Sequence, residues 1–119
     1  MSSSRRKPTR ESDRQQAAIF AALGDETRLK LLAKLSEGRS LSISRLAENS
    51  PLTRQAITRH LLVLQTAGLV RGVRQGRENL FQLEPEALNE ARQALDRISK
   101  QWDQALASLK AFVENDETE

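Results

Sequence analysis

The sequence has no cysteine and only one histidine, His60. Disulfide staples, thiolate metal sites and thiol chemistry drop out together, which points to a reducing compartment, and a histidine-rich metal or catalytic cluster drops out with them. No apolar run approaches the roughly 18 residues that a membrane span needs, and no secretory h-region follows the N-terminus, so a cytoplasmic protein is expected. Aromatic side chains are few: Phe20, Phe81, Trp102 and Phe112. Single-stranded nucleic acid is held largely by bases stacked on aromatic rings, so this scarcity argues against such a module and leaves duplex binding open. No phosphate loop or paired-carboxylate motif stands out, and the lone histidine has no carboxylate near it in sequence. Neither an enzyme nor a cofactor is expected.

What is present is room for one domain in 119 residues, with a net charge of +3. The charge is unevenly spread: residues 1–83 carry 15 Lys and Arg against 7 Asp and Glu, whereas residues 84–119 carry 4 against 9. A basic body joined to an acidic C-terminal third points to a polyanion partner for the body and another task for the remainder. Residues 1–12 read as a disordered basic tail, because residues 1–10 have no hydrophobic side chain after Met1 and four positive charges. Such a tail serves either as a solubilising arm or as an arm touching DNA phosphate or the minor groove. The folded domain is expected over residues 13–113, and the acidic residues 114–119 are expected to fray.

Periodicity predicts a mainly helical fold with a small β-hairpin. A first helix runs from Asp13 to Leu23, with Ala17, Phe20 and Leu23 three apart and Gly24 closing it. Asp25 caps a second helix to about Ser36, whose Leu29, Leu31, Leu32 and Leu35 leave little polar face. A short third helix is expected over 40–49, burying Ile43, Leu46 and Ala47, before a turn at Asn49-Ser50-Pro51. Thr53 is a good cap for a fourth helix, in which Ile57, Leu61 and Leu64 form the stripe that must face the core. That geometry puts Arg54, Gln55, Thr58 and Arg59 on the wet side. Gly68 then ends the helix. Two strand-like runs, 69–73 and 79–83, flank a Gly-containing connection and make a wing bearing Arg71, Arg74 and Arg77. Pro85 opens a last helix, with Leu88, Ala91, Leu95, Ile98, Trp102, Ala105, Leu109 and Phe112 at heptad spacing.

A short helix, a turn and a second helix with polar and basic side chains in its first two turns is the arrangement that reads a major groove. Arg54 can pair with guanine and Gln55 with adenine, while Thr58 and Arg59 could bind phosphate or read a base edge. A solvated helix face is the plain alternative, but the basic hairpin that follows at once favours DNA. His60 fits either a structural hydrogen bond at the edge of the core or a phosphate contact. The last helix, about 28 residues and roughly 42 Å long, exceeds what a monomeric core of this size can cover, so it calls for a partner. Its seam, Leu95, Ile98, Trp102, Leu106 and Leu109, can pair with its own symmetry mate and with Ile19 and Phe20 of the first helix.

AALGDETRLKLLAKL, then SISRLAE, LTRQAITRHLLVLQTAGLV and RGVRQGRENLFQL together resemble the ArsR-type family of winged helix-turn-helix regulators, over residues 17–83. The resemblance implies a homodimer on an inverted-repeat operator in double-stranded DNA that blocks transcription, often until an inducer, here unknown, releases it. It implies DNA contacts for Thr53, Arg54, Gln55, Thr58, Arg59, His60, Arg71, Arg74 and Arg77. Metal-sensing relatives carry two cysteines where this chain has Ser42 and Ser44, and others use His and carboxylates on a last helix that here has no His. Serine hydroxyls do not replace thiolates, so no metal response is expected, and Ser42 reads as a helix cap. Leu62 stands where many relatives place a basic residue. Trp102 with Leu106 and Leu109 resembles a metal-independent branch. An alternative is a protein-interaction module using the heptad helix, with incidental DNA contact.

Overall fold

The computed structural model describes residues 10–117. In chain order the elements are α1 (Arg10–Leu23), α2 (Glu26–Leu35), β1 (Leu41–Ser42), α3 (Ile43–Ala47), α4 (Arg54–Thr66), β2 (Val70–Gln75), β3 (Glu78–Leu83) and α5 (Pro85–Glu117). The basic tail expected over residues 1–12 lies largely outside the described residues, and α1 already begins at Arg10. Likewise α5 continues to Glu117, into the segment expected to fray.

The core forms where the helices face one another. Ile57, Leu61 and Leu64 of α4 are fully buried, as their spacing requires, and they meet Leu31, Leu32 and Leu35 of α2, Leu46 of α3 and Leu69 and Val70 at the foot of the wing. Two expectations need correction. Leu29 is 51% exposed and belongs to the outer face of α2. On α1, Ile19 and Ala22 point inward while Ala17 is exposed, so the inner face is turned relative to the one the spacing of Ala17, Phe20 and Leu23 indicated.

The third helix is shorter than expected. Ser42 adopts an extended backbone (φ −79°, ψ 164°), and its hydroxyl accepts from the Arg45 N–H, so helix begins only at Ile43. The residues before it are drawn into the sheet: Leu41 pairs with Phe81 and Ser42 with Leu80. The hairpin is thereby the greater part of a three-stranded antiparallel sheet in the order β1-β3-β2. Its strands extend to Gln75 and Glu78, leaving a two-residue turn in which Gly76 takes φ +62°. A positive φ at the first central residue alone is the II′ geometry, which matches strand twist and favours glycine.

From Leu95 to Asn115 every side chain of α5 is exposed. Only its first turns, as far as Ala94, are buried against the body, with Ala87 and Ala91 in the core and Leu88 beside them. At 33 residues the helix is about 50 Å long, so most of it projects from the domain.

Candidate nucleic-acid interface

α4 is fixed at both ends by local chemistry. Thr53 is its N-cap, with the side-chain oxygen accepting from the Ala56 N–H at 3.1 Å. At the other end Gly68 takes φ +80°, with Gly68 N–H donating to Gln65 and Leu69 N–H to Leu64 at 2.9 Å. That pair of bonds is a Schellman closure, which stops the helix and turns the chain into β2. Before the helix, Asn49 in the turn adopts φ +59°, a conformation its short polar side chain tolerates.

With the Ile57, Leu61 and Leu64 line buried, the opposite surface of α4 is presented outward. Arg54, Gln55 and Arg59 are exposed, and Thr58 is half-buried, its hydroxyl donating to the Arg54 carbonyl at 2.8 Å. These four side chains and Ile43 of α3 line one open hollow. Ile43 packs against the core, as expected, but is only half-buried and also borders this surface, which its apolar character did not indicate. Gln55, Arg59 and Leu62 recur at i, i+4 and i+7, so they share a ridge, on which Leu62 is 55% exposed.

His60 sits differently. It is turned toward α2, with Nδ1 3.4 Å from the Arg28 guanidinium and 3.8 Å from the Asp25 carboxylate. The Arg28 backbone N–H, opposed by partial desolvation and helped by the Arg28 guanidinium and His60, holds the Asp25 carboxyl below its ordinary range. His60 thus has its ring engaged within the subunit, and no spacing in the sequence links positions 28 and 60.

The wing arginines divide by position. Arg71, at the foot, donates from Nε to Gln82 at 3.0 Å, and Gln82 in turn donates to Ser40 at 2.7 Å. Arg74 lies opposite Asn79 and, three residues from Arg71, on the other face of the strand. Arg77 occupies the exposed tip. Among the described residues no group of three or more His, Cys, Asp or Glu gathers as metal ligands, and no helix is long and apolar enough to cross a membrane.

The seam expected on α5 is open to solvent in the single chain: Leu95, Ile98, Trp102, Leu106 and Leu109, followed by Phe112 and Val113. Phe20 is half-buried on α1. Ile19, expected beside it in the seam, is instead wholly inside the subunit's own core and has no surface left for a partner.

The profile of the bacterial regulatory protein arsR family matches residues 25–71. The HTH-type transcriptional regulator Rv2034 of Mycobacterium tuberculosis is 35% identical over 97 residues, covering 82% of this chain and 87% of the relative. An ArsR-like transcriptional regulator from Rhodococcus sp. RHA1 superposes with a TM-score of 0.76 at 40% identity, over 86% of this chain and 95% of that one. At the level of fold alone, the homodimeric winged helix-turn-helix DNA-binding domain Mb0332 from Mycobacterium bovis matches with a TM-score of 0.59 at 20% identity, over 84% and 91% of the two chains.

Proposed function

We propose that this chain, which belongs to the arsR family of bacterial transcriptional regulators, is a homodimeric repressor that reads an inverted repeat in double-stranded DNA through α4 and does not respond to metal. The observation that carries the reading is the outward ridge of α4: a capped helix start with Arg54, Gln55 and Arg59 exposed and leucines sealed behind them. Arg54 and Gln55 supply base-edge contacts, Thr53, Thr58 and Arg59 phosphate or edge contacts, and Arg74 and Arg77 reach the flanking backbone. Arg71 contributes from the foot of the wing while it holds Gln82.

A second copy supplies the cover for α5. Burying a side chain such as Leu, Ile or Phe is worth roughly 1.5–3 kcal/mol, and the exposed run from Leu95 to Val113 offers several in one seam. Phe20, half-buried on α1, joins that seam in this reading. Two-fold pairing sets two recognition helices against successive major grooves, and the operator mirrors that symmetry. The absence of a metal response rests on the donor set: Ser42 has its oxygen committed to the Arg45 N–H at 3.2 Å, and Ser44 has no thiolate to offer.

Selection of bound duplexes from a random-sequence pool tests the reading. The expected product is an inverted repeat with half-sites about one helical turn, 10 to 10.5 base pairs, apart. Enrichment of an unpaired site, or none above the starting pool, would refute it.

A further inference from the structure

His60 is joined to two other elements through one guanidinium. Arg28 donates from Nε to the Ala22 carbonyl at 2.6 Å and from a terminal nitrogen to the Ala21 carbonyl at 3.3 Å, satisfying the last turn of α1. Its other terminal nitrogen is the one 3.4 Å from His60 Nδ1. The Asp25 carboxylate accepts from the Arg28 N–H at 3.0 Å and stands 3.8 Å from the same ring nitrogen. We propose that His60 and Arg28 are positioning residues for DNA recognition: they lock α4 to the α1–α2 corner, and proton uptake by His60 exchanges that directional hydrogen bond for a longer, less directional ion pair with Asp25.

The hold matters because the other contacts on this side of α4 are apolar. Ile57, Leu61 and Leu64 keep the helix against the core. The hydrophobic effect is non-directional, however, and by itself sets no exact rotation about the helix axis. A hydrogen bond from the flank of the helix is directional and opposes such a rotation. Base-edge pairing depends on that orientation, whereas attraction to phosphate tolerates its loss. The positioning role is therefore visible in sequence preference more than in total affinity.

The proton enters through the valence of Nδ1. In the neutral ring this nitrogen can accept from Arg28. Once protonated it carries a hydrogen, faces a guanidinium of like charge, and has only the Asp25 carboxylate to turn to. Asp25 remains a carboxylate there, since the Arg28 backbone N–H favours its charged form. Among the described residues the groups paired with His60 are Asp25 and Arg28, α1 supplies the two carbonyls bound by Arg28, and Arg59, next to it on α4, is exposed. Histidine is the side chain that ordinarily titrates between about pH 5 and pH 8, and this sequence has one.

The inference rests on α4 reading DNA, and its test separates the two. Dissociation constants of the full chain are measured by fluorescence anisotropy for a duplex selected by the wild type and for a scrambled duplex, at about pH 8 and about pH 5.8 and constant ionic strength. The ratio of scrambled to selected constants is expected to fall at least about fivefold on acidification, the lower end of ordinary coupling between two sites. His60→Gln, whose amide oxygen can accept from Arg28 without titrating, is expected to give a ratio that does not change with pH. His60→Leu is expected to give a flat ratio, lowered at both pH values. A wild-type preference that is present at pH 8 and unchanged by acid, or a His60→Gln ratio that follows the wild-type slope, overturns the positioning role alone. No preference for the selected duplex at pH 8 overturns the assignment of α4 as well.

Discussion

Thr53 and Gln55 show how two neighbouring side chains take different tasks. Thr53 satisfies an orphan N–H at the start of α4, so Thr53→Ala is expected to lower stability by about 1 kcal/mol in denaturant titration. Gln55, in the first turn of the same helix, projects outward. Gln55→Ala is expected to leave the denaturation midpoint in place and to remove about 1–3 kcal/mol of discrimination at one base position, measured against duplexes varied one pair at a time. Asp25 has an acid signature. Its folded-state pKa lies below the ordinary 3.8, so the stability it contributes is fully present above that value and is lost as pH falls through the lower one. Denaturation midpoints taken down to about pH 2.5 should therefore fall less steeply for Asp25→Asn than for the wild type. Leu62 stands exposed on the ridge with Gln55 and Arg59, and under the proposed reading its aliphatic side chain would offer a thymine methyl group an apolar contact.

Among the elements, α4 and α5 were legible because their signals are local and periodic. The i, i+4, i+7 stripe of Ile57, Leu61 and Leu64 fixes which side of α4 is wet, and the cap and stop residues fix where it begins and ends. What could not be read depends on contacts distant in sequence. β1 exists because Leu41 meets Phe81, and a two-residue strand has no periodicity of its own. Ile19 and Phe20 are adjacent apolar residues, and only the packing of α1 against its neighbours decides that Ile19 goes in and Phe20 stays half out. The bridge from Arg28 to His60 joins residues 32 apart. The wing carries its own expectation: Arg74→Ala should weaken binding to every duplex alike and reduce the slope of log affinity against log salt by about 1.

For the molecule as a whole, the distribution of surface explains the division of labour. Residues 10–83, the described part of the basic segment, fold into the body that presents α4 and the wing, and α5 carries the described part of the acidic third away from it. Trp102 is 64% exposed in the single chain, an unfavourable place for an indole unless a second subunit covers it. Trp102→Glu is expected to shift the protein from dimer to monomer in analytical ultracentrifugation and, with two half-sites no longer tied together, to weaken binding to the inverted repeat far more than to a single half-site. The most direct measurement remains a titration of the selected and scrambled duplexes with wild type and with an Arg54→Ala, Gln55→Ala double variant. The wild type should prefer the selected duplex, and the double variant should lose most of that preference while retaining salt-dependent binding to both. Equal preference in the two proteins would contradict the assignment of α4 as the reading helix.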